Sequence, residues 1–210
     1  MPFSVITAFE IIGTLAFAVS GAIAALKKGM DIFGVATLGL ITAVGGGVIR
    51  DIILGNTPPA VFKDPMYALL AVFTSVIFFL PAVRKIFSKS QKAYDIVMLI
   101  MDSVGLGVFT VVGIQTAKSV NSHSGFFLLV FVGIVTGVGG GLLRDICSLE
   151  MPYIFVKHFY ACASLLGAVT CVFLWDKSGE KAAMFAGTAV IVVLRLLAAK
   201  FRWSLPKAKL

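Results

Sequence analysis

The sequence predicts an all-α, polytopic membrane protein with seven transmembrane helices, arranged as a three-plus-three inverted repeat and one further helix at the C-terminus. Three observations carry this. The 210 residues are 59% hydrophobic and only 13% charged, with a mean hydropathy of +1.02, outside the range of water-soluble domains. Apolar runs of about 20 residues, enough for a helix to cross a ~30 Å hydrocarbon core, recur along nearly the whole chain. One stretch also occurs twice, 94 residues apart: TAVGGGVIRDI from Thr42 to Ile52 and TGVGGGLLRDI from Thr136 to Ile146, identical at eight of eleven positions.

Taken in order, hydropathy and helix breakers place spans at about 5–25, 32–54, 65–83, 95–117, 125–147, 156–175 and 181–200. The first carries Glu10 and no basic leader, so it reads as a span and not as a cleaved signal. Lys27, Lys28 and Gly29 close it. Pro58 and Pro59 through Lys63, Asp64 and Pro65 separate the second from the third, and Arg84 to Lys92 separate the third from the fourth. Lys118 to Ser124, Glu150 to Pro152, and Asp176 to Lys181 punctuate the rest. His158 reads as a residue at a membrane edge, and Arg202 to Lys209 around Trp203 as a basic tail suited to anionic headgroups. Cys147, Cys162 and Cys171 have no metal-ligand spacing and read as buried packing residues.

Loop charge gives an orientation. With the N-terminus outside, eleven Lys and Arg fall on the inner side and four, Lys63, Lys118, Lys177 and Lys181, on the outer side. Cytoplasmic loops collect positive charge, so the N-terminus is expected outside and the C-terminus inside. The net charge of +8 then needs no nucleic acid to explain it.

The repeat extends beyond the doubled stretch. Glu10, Gly13, Phe17 and Gly21 align with Asp102, Gly105, Phe109 and Gly113, and Pro58 and Lys63 with Pro152 and Lys157. Spans one to three match four to six, and three is odd, so the two copies enter the membrane from opposite sides. The expected divisions are 1–90, 91–178 and an appended 179–210.

Within each copy the candidate residues are Gly45, Gly46 and Gly47 with Arg50 and Asp51, and Gly139, Gly140 and Gly141 with Arg144 and Asp145. Three consecutive glycines cost roughly 1 kcal/mol each in a helix, so the helix is expected to bend or open there. Carbonyls released by such a break would line a watery path, because lipid cannot satisfy them. The alternative is that the glycines only let two helices approach closely.

Charges inside a membrane are expensive and mark function. Arg and Asp at adjacent helical positions point apart, so each is expected to find a partner elsewhere. Inverted geometry pairs Glu10 with Arg50 and Asp102 with Arg144; the competing reading is that the arginines hydrogen-bond to carbonyls freed at the glycine breaks. Thr42 and Thr136, one turn before the triplets, are secondary lining candidates, although such hydroxyls often bond back to their own helix. No metalloprotease, nucleophile-elbow or phosphate-loop motif is present, so neither an enzyme nor a metal or other cofactor is expected.

In its paired GGGxxRD stretches and its three-plus-three-plus-one spans, the chain resembles the prokaryotic branch of the trimeric intracellular cation (TRIC) channel family over essentially its whole length. That resemblance implies a homotrimer in the prokaryotic cytoplasmic, or inner, membrane. Each subunit would have its own pore for potassium and sodium ions, lined by kinked second and fifth helices. It assigns both glycine triplets to the kinks and Arg50, Asp51, Arg144 and Asp145 to the ion path. The lipid-linked Lys-Glu-Val stretch of animal members is absent. The same domain also carries the label of a glycine transporter, which implies a secondary transporter of a small solute as the alternative.

Overall fold

A computed structural model describes residues 4–83, 91–121, 124–156 and 159–203. His158, the Arg84 to Lys89 charges and the end of the basic tail lie outside them. Among the described residues there is no strand. The helices are α1 (Val5–Lys27), α2 (Ile32–Ile53), α3 (Ala60–Lys63), α4 (Met66–Phe79), α5 (Gln91–Val120), α6 (Phe126–Cys147), α7 (Tyr153–Val156), α8 (Tyr160–Ser178) and α9 (Glu180–Phe201).

Side chains start the first two helices where the sequence places them. Ser4 Oγ accepts the Thr7 amide at 3.1 Å and Asp31 Oδ1 accepts the Gly34 amide at 2.8 Å, each satisfying an otherwise orphaned N–H. Six helices are long and apolar enough to cross a membrane: α1, α2, α5, α6, α8 and α9. The third expected span is shorter than its apolar run. α4 has 14 residues, about 21 Å of rise, and stops at Leu80, whose extended backbone (φ −58°, ψ 138°) is the conformation favoured before proline. The sixth is offset instead: α7 precedes it, Phe159 breaks the chain in the left-handed region (φ 55°), and α8 begins at Tyr160.

α1 packs on α2, α4 and α5; α2 packs on α6; α5 packs on α6 and α9; and α8 packs on α9. The bond from Lys27 Nζ to Asp95 Oδ1, 2.5 Å, sets the last turn of α1 beside the first of α5, so these two equivalent helices run in opposite directions. Lys118 lies in the last turn of α5 and not in a loop, 5.2 Å from the Trp175 ring centroid and 3.5 Å from Asp176.

The repeat is visible in reciprocal contacts. Phe17 and Phe109, equivalent residues, meet each other with ring centroids 5.3 Å apart. A Cβ on Gly13 would touch Phe109 at 3.0 Å, and one on Gly105 would touch Phe17 at 2.1 Å. A Cβ on Gly46 would lie 2.1 Å from the carbonyl oxygen of Thr136, and one on Gly140 the same distance from that of Thr42. The glycines therefore let the backbones of α2 and α6 touch where they cross.

This corrects the expected opening at the triplets. Both helices stay α-helical through 45–47 and 139–141, so no carbonyls are released there. Close approach to the opposing helix makes glycine necessary at the centre of each triplet. α2 and α6 end at Gly55 (φ 72°) and Leu149 (φ 55°), each one residue past a cap, with Asn56 and Glu150 amides returning to the Asp51 and Asp145 carbonyls at 2.8 and 2.9 Å.

Candidate functional site: two ends of one motif

Each Arg-Asp pair closes on itself. Arg50 Nε donates to Asp51 Oδ1 at 2.8 Å, and Arg144 Nε donates to Asp145 Oδ1 at the same distance. The expectation that adjacent residues cannot meet is wrong here. The arginine stem is long enough to fold around the last turn of its helix and bring Nε against the neighbouring carboxylate. The other aspartate oxygen accepts the first amide of the following short helix: Ala60 N to Asp51 Oδ2 at 2.8 Å, and Tyr153 N to Asp145 Oδ2 at 2.9 Å. One aspartate thus orients an arginine and fixes the loop that folds back over it.

Beyond this shared core the two ends differ. At the C-terminal end of the bundle, Arg144 Nη1 donates to Asp102 Oδ1 at 2.7 Å and to Ser20 Oγ at 2.5 Å. Its Nη2 also lies 2.7 Å from Asp145 Oδ1, off the angle of a hydrogen bond. Arg195 of α9 reaches Asp102 Oδ2 at 3.4 Å, and its guanidinium lies over the Tyr160 ring, 4.6 Å from the centroid. Tyr160 Oη donates to Asp102 Oδ1 at 3.4 Å. Arg144 and Asp102 are both 0% exposed. Two arginines and two aspartates balance there, as charges withdrawn from water must. Outside this network lies a cavity of about 150 Å³ bordered by Lys27, Lys28, Asp95, Asp145, Glu150 and Tyr153. Lys28 pairs with Glu150 across it.

At the N-terminal end the motif opens on a cavity of about 340 Å³, lined by Glu10, Arg50, Asp51, Asp64 and Tyr67 among apolar side chains that include Val44 and Phe109. Glu10 does not pair with Arg50. Its Oε2 accepts the Tyr67 hydroxyl at 2.5 Å, while Arg50 turns to Asp51. The predicted pairing therefore holds for Asp102 and Arg144 and fails for Glu10 and Arg50. The competitor is a tyrosine from α4 that hydropathy does not single out.

Thr42 and Thr136 are buried, and each hydroxyl bonds back to its own helix at 2.6 Å, to Leu38 O and Val132 O. Tyr67 and Tyr160, Ser20 and Arg195 are the functional candidates that sequence reasoning missed. The tyrosines had a signal: they sit 93 residues apart, in register with Glu10 and Asp102. Arg195 had one too, as a charge inside an apolar span.

These features define a multi-pass helical membrane protein whose two inverted halves bring matched polar sites to opposite ends of one bundle. A family model described as "Glycine transporter" matches residues 7–82 and 99–176. The chain belongs to that family and, within it, to the prokaryotic TRIC proteins. It is 36% identical to the UPF0126 inner membrane protein YadS of Escherichia coli K12, over 94% of this chain and 93% of that one. A chain solved in a study of the structural basis for conductance through TRIC cation channels is 39% identical, with TM-score 0.84 over 99% of this chain and 98% of that one. The TRIC trimeric intracellular cation channel orthologue from Rhodobacter sphaeroides is 32% identical, with TM-score 0.86 over 96% and 100%.

Proposed function

We propose that the chain is a cation channel, passing potassium and sodium through each protomer of a homotrimer in a prokaryotic cytoplasmic membrane. In this reading its N-terminus is outside and its C-terminus cytoplasmic. Residues 1–90 and 91–178 form the two halves of the path, and 179–210 are appended. The observation that carries the proposal is the alignment of two polar sites on α2 and α6, one at each end, around a single glycine crossing. At the N-terminal end three carboxylates, Glu10, Asp51 and Asp64, share a cavity with one guanidinium, Arg50. Such a vestibule concentrates cations over anions. Gly45, Gly46, Gly47, Gly139, Gly140 and Gly141 serve the path by letting α2 and α6 touch and shift. Thr42 and Thr136 hold the same crossing from within. In this reading Phe17 against Phe109 and the buried Arg144–Asp102 pair are the closed barrier between the vestibule and the far cavity.

Purified protein in a planar bilayer under a KCl gradient tests this. Discrete currents that reverse near the potassium equilibrium potential are expected; reversal near the chloride potential would overturn cation conduction. Saturable uptake of labelled glycine into vesicles, with no current, would put a transporter in its place.

A further inference from the structure

We propose that the vestibule at the N-terminal end is a binding site for a zwitterionic α-amino acid with a branched apolar side chain, of valine or leucine size. Arg50 is 8% exposed and spends its Nε on Asp51. Among the described residues its two terminal nitrogens have no hydrogen-bond partner, and the side chain borders the cavity. A guanidinium fork held this way is the bidentate receptor of a carboxylate. The same cavity supplies the complementary charge. Glu10 gives one oxygen to Tyr67 and Asp64 gives one to the Met66 amide, which leaves each a second oxygen for an ammonium group.

The remaining walls choose the side chain. Val44, Val61 and Phe109 are apolar and have no polar task in the cavity. The volume, about 340 Å³, decides against glycine. A cavity of about 150 Å³ already holds a benzene ring, so glycine would leave the apolar walls facing water or empty space. An aliphatic side chain would cover them. The equivalent arginine offers no second site, because Arg144 is fully buried on Asp102, Asp145 and Ser20. Each chain therefore binds one amino acid, at one end. Its backbone charges occupy the groups that would otherwise draw cations in, so the bound amino acid blocks current. Only that last effect rests on the conduction proposed above.

Equilibrium binding of radiolabelled L-valine to the full chain in nanodiscs tests the site without requiring any current. Saturable binding is expected at one per protomer, with glycine competing about tenfold more weakly or worse, as the loss of several apolar contacts implies. Valinamide lacks the carboxylate and isovalerate lacks the ammonium, so neither should displace the label. Arg50→Gln should abolish binding, and Glu10→Gln should weaken it. If a variant fails to fold, the competition series on the unaltered protein decides alone. No saturable binding, glycine competing as well as valine, or valinamide displacing the label would each overturn the proposal. Binding with no bilayer current would leave the site standing and remove the channel. A cation current unaffected by saturating valine on either side would remove only the block.

Discussion

Arg50 and Arg144 begin from the same dipeptide and end in opposite environments, one beside a cavity and one without exposure. The difference comes from third residues. Asp102, Ser20 and, from α9, Arg195 converge on the second copy, while in the first Tyr67 takes Glu10 away. Arg144→Leu strands the buried Asp102 beside Arg195 alone and should cost about 3–5 kcal/mol, measured as denaturant or thermal unfolding in detergent. Arg50→Leu, near water, should cost well under half as much, and equal losses would show that the burial difference does not matter. Leu149 holds a left-handed backbone that its counterpart Gly55 adopts without strain. Leu149→Gly should therefore stabilise by roughly 1 kcal/mol, read as a raised melting temperature. The Asp102–Arg144 pair was legible because an inverted repeat places both residues in the same half of the membrane. Ser20 was not, since no spacing rule links it to a residue 124 positions away; Arg195 and Tyr160 left weaker signals, a charge inside an apolar span and a tyrosine in register with Tyr67.

At the level of the helix, the glycine triplets were legible as special and misread in kind. Three glycines weaken an isolated helix, but α2 and α6 are braced against each other along the crossing, and that packing keeps them continuous. Close packing makes a positional prediction that a helix break does not. Gly46→Ala and Gly140→Ala drive a Cβ to 2.1 Å from a backbone carbonyl that cannot swing aside, and should cost about 1–3 kcal/mol or more. Gly47→Ala meets nothing closer than 3.7 Å and should be neutral or mildly stabilising, since alanine favours the helix by up to ~1 kcal/mol. Comparable damage at both positions would restore the break. The shortened α4 has a plain cause that hydropathy misses: Leu80 and Pro81 are apolar, but proline forces its predecessor out of the helix.

The whole molecule keeps its twofold at the centre and loses it at the ends. Phe17 with Phe109 and the two glycine contacts obey it; the two cavities, about 340 and 150 Å³, do not. This can be read by chemical access. With Cys147, Cys162 and Cys171 replaced, Val44→Cys should react with a membrane-impermeant thiol reagent, and its equivalent Val138→Cys, 4% exposed before substitution, should not. Equal labelling would mean that the ends exchange freely. The overall architecture was the most legible level, because hydropathy marks the long apolar helices and the repeated stretch marks the pair that cross, α2 and α6.

α9 has no partner in the repeat, and it gives Arg195 to Asp102 at one end of the bundle. Two identical halves could be turned over in the bilayer and present the same chemistry to either compartment; here the ends already differ at Tyr67, Ser20 and Tyr160. With α9 and its arginine in place, turning the chain over exchanges an anionic mouth for a neutralised one. Under the conduction proposed here, such a molecule must rectify: its current–voltage curve in symmetrical salt is not symmetric about zero volts, and inserting it backwards reverses which ions meet the wider mouth first.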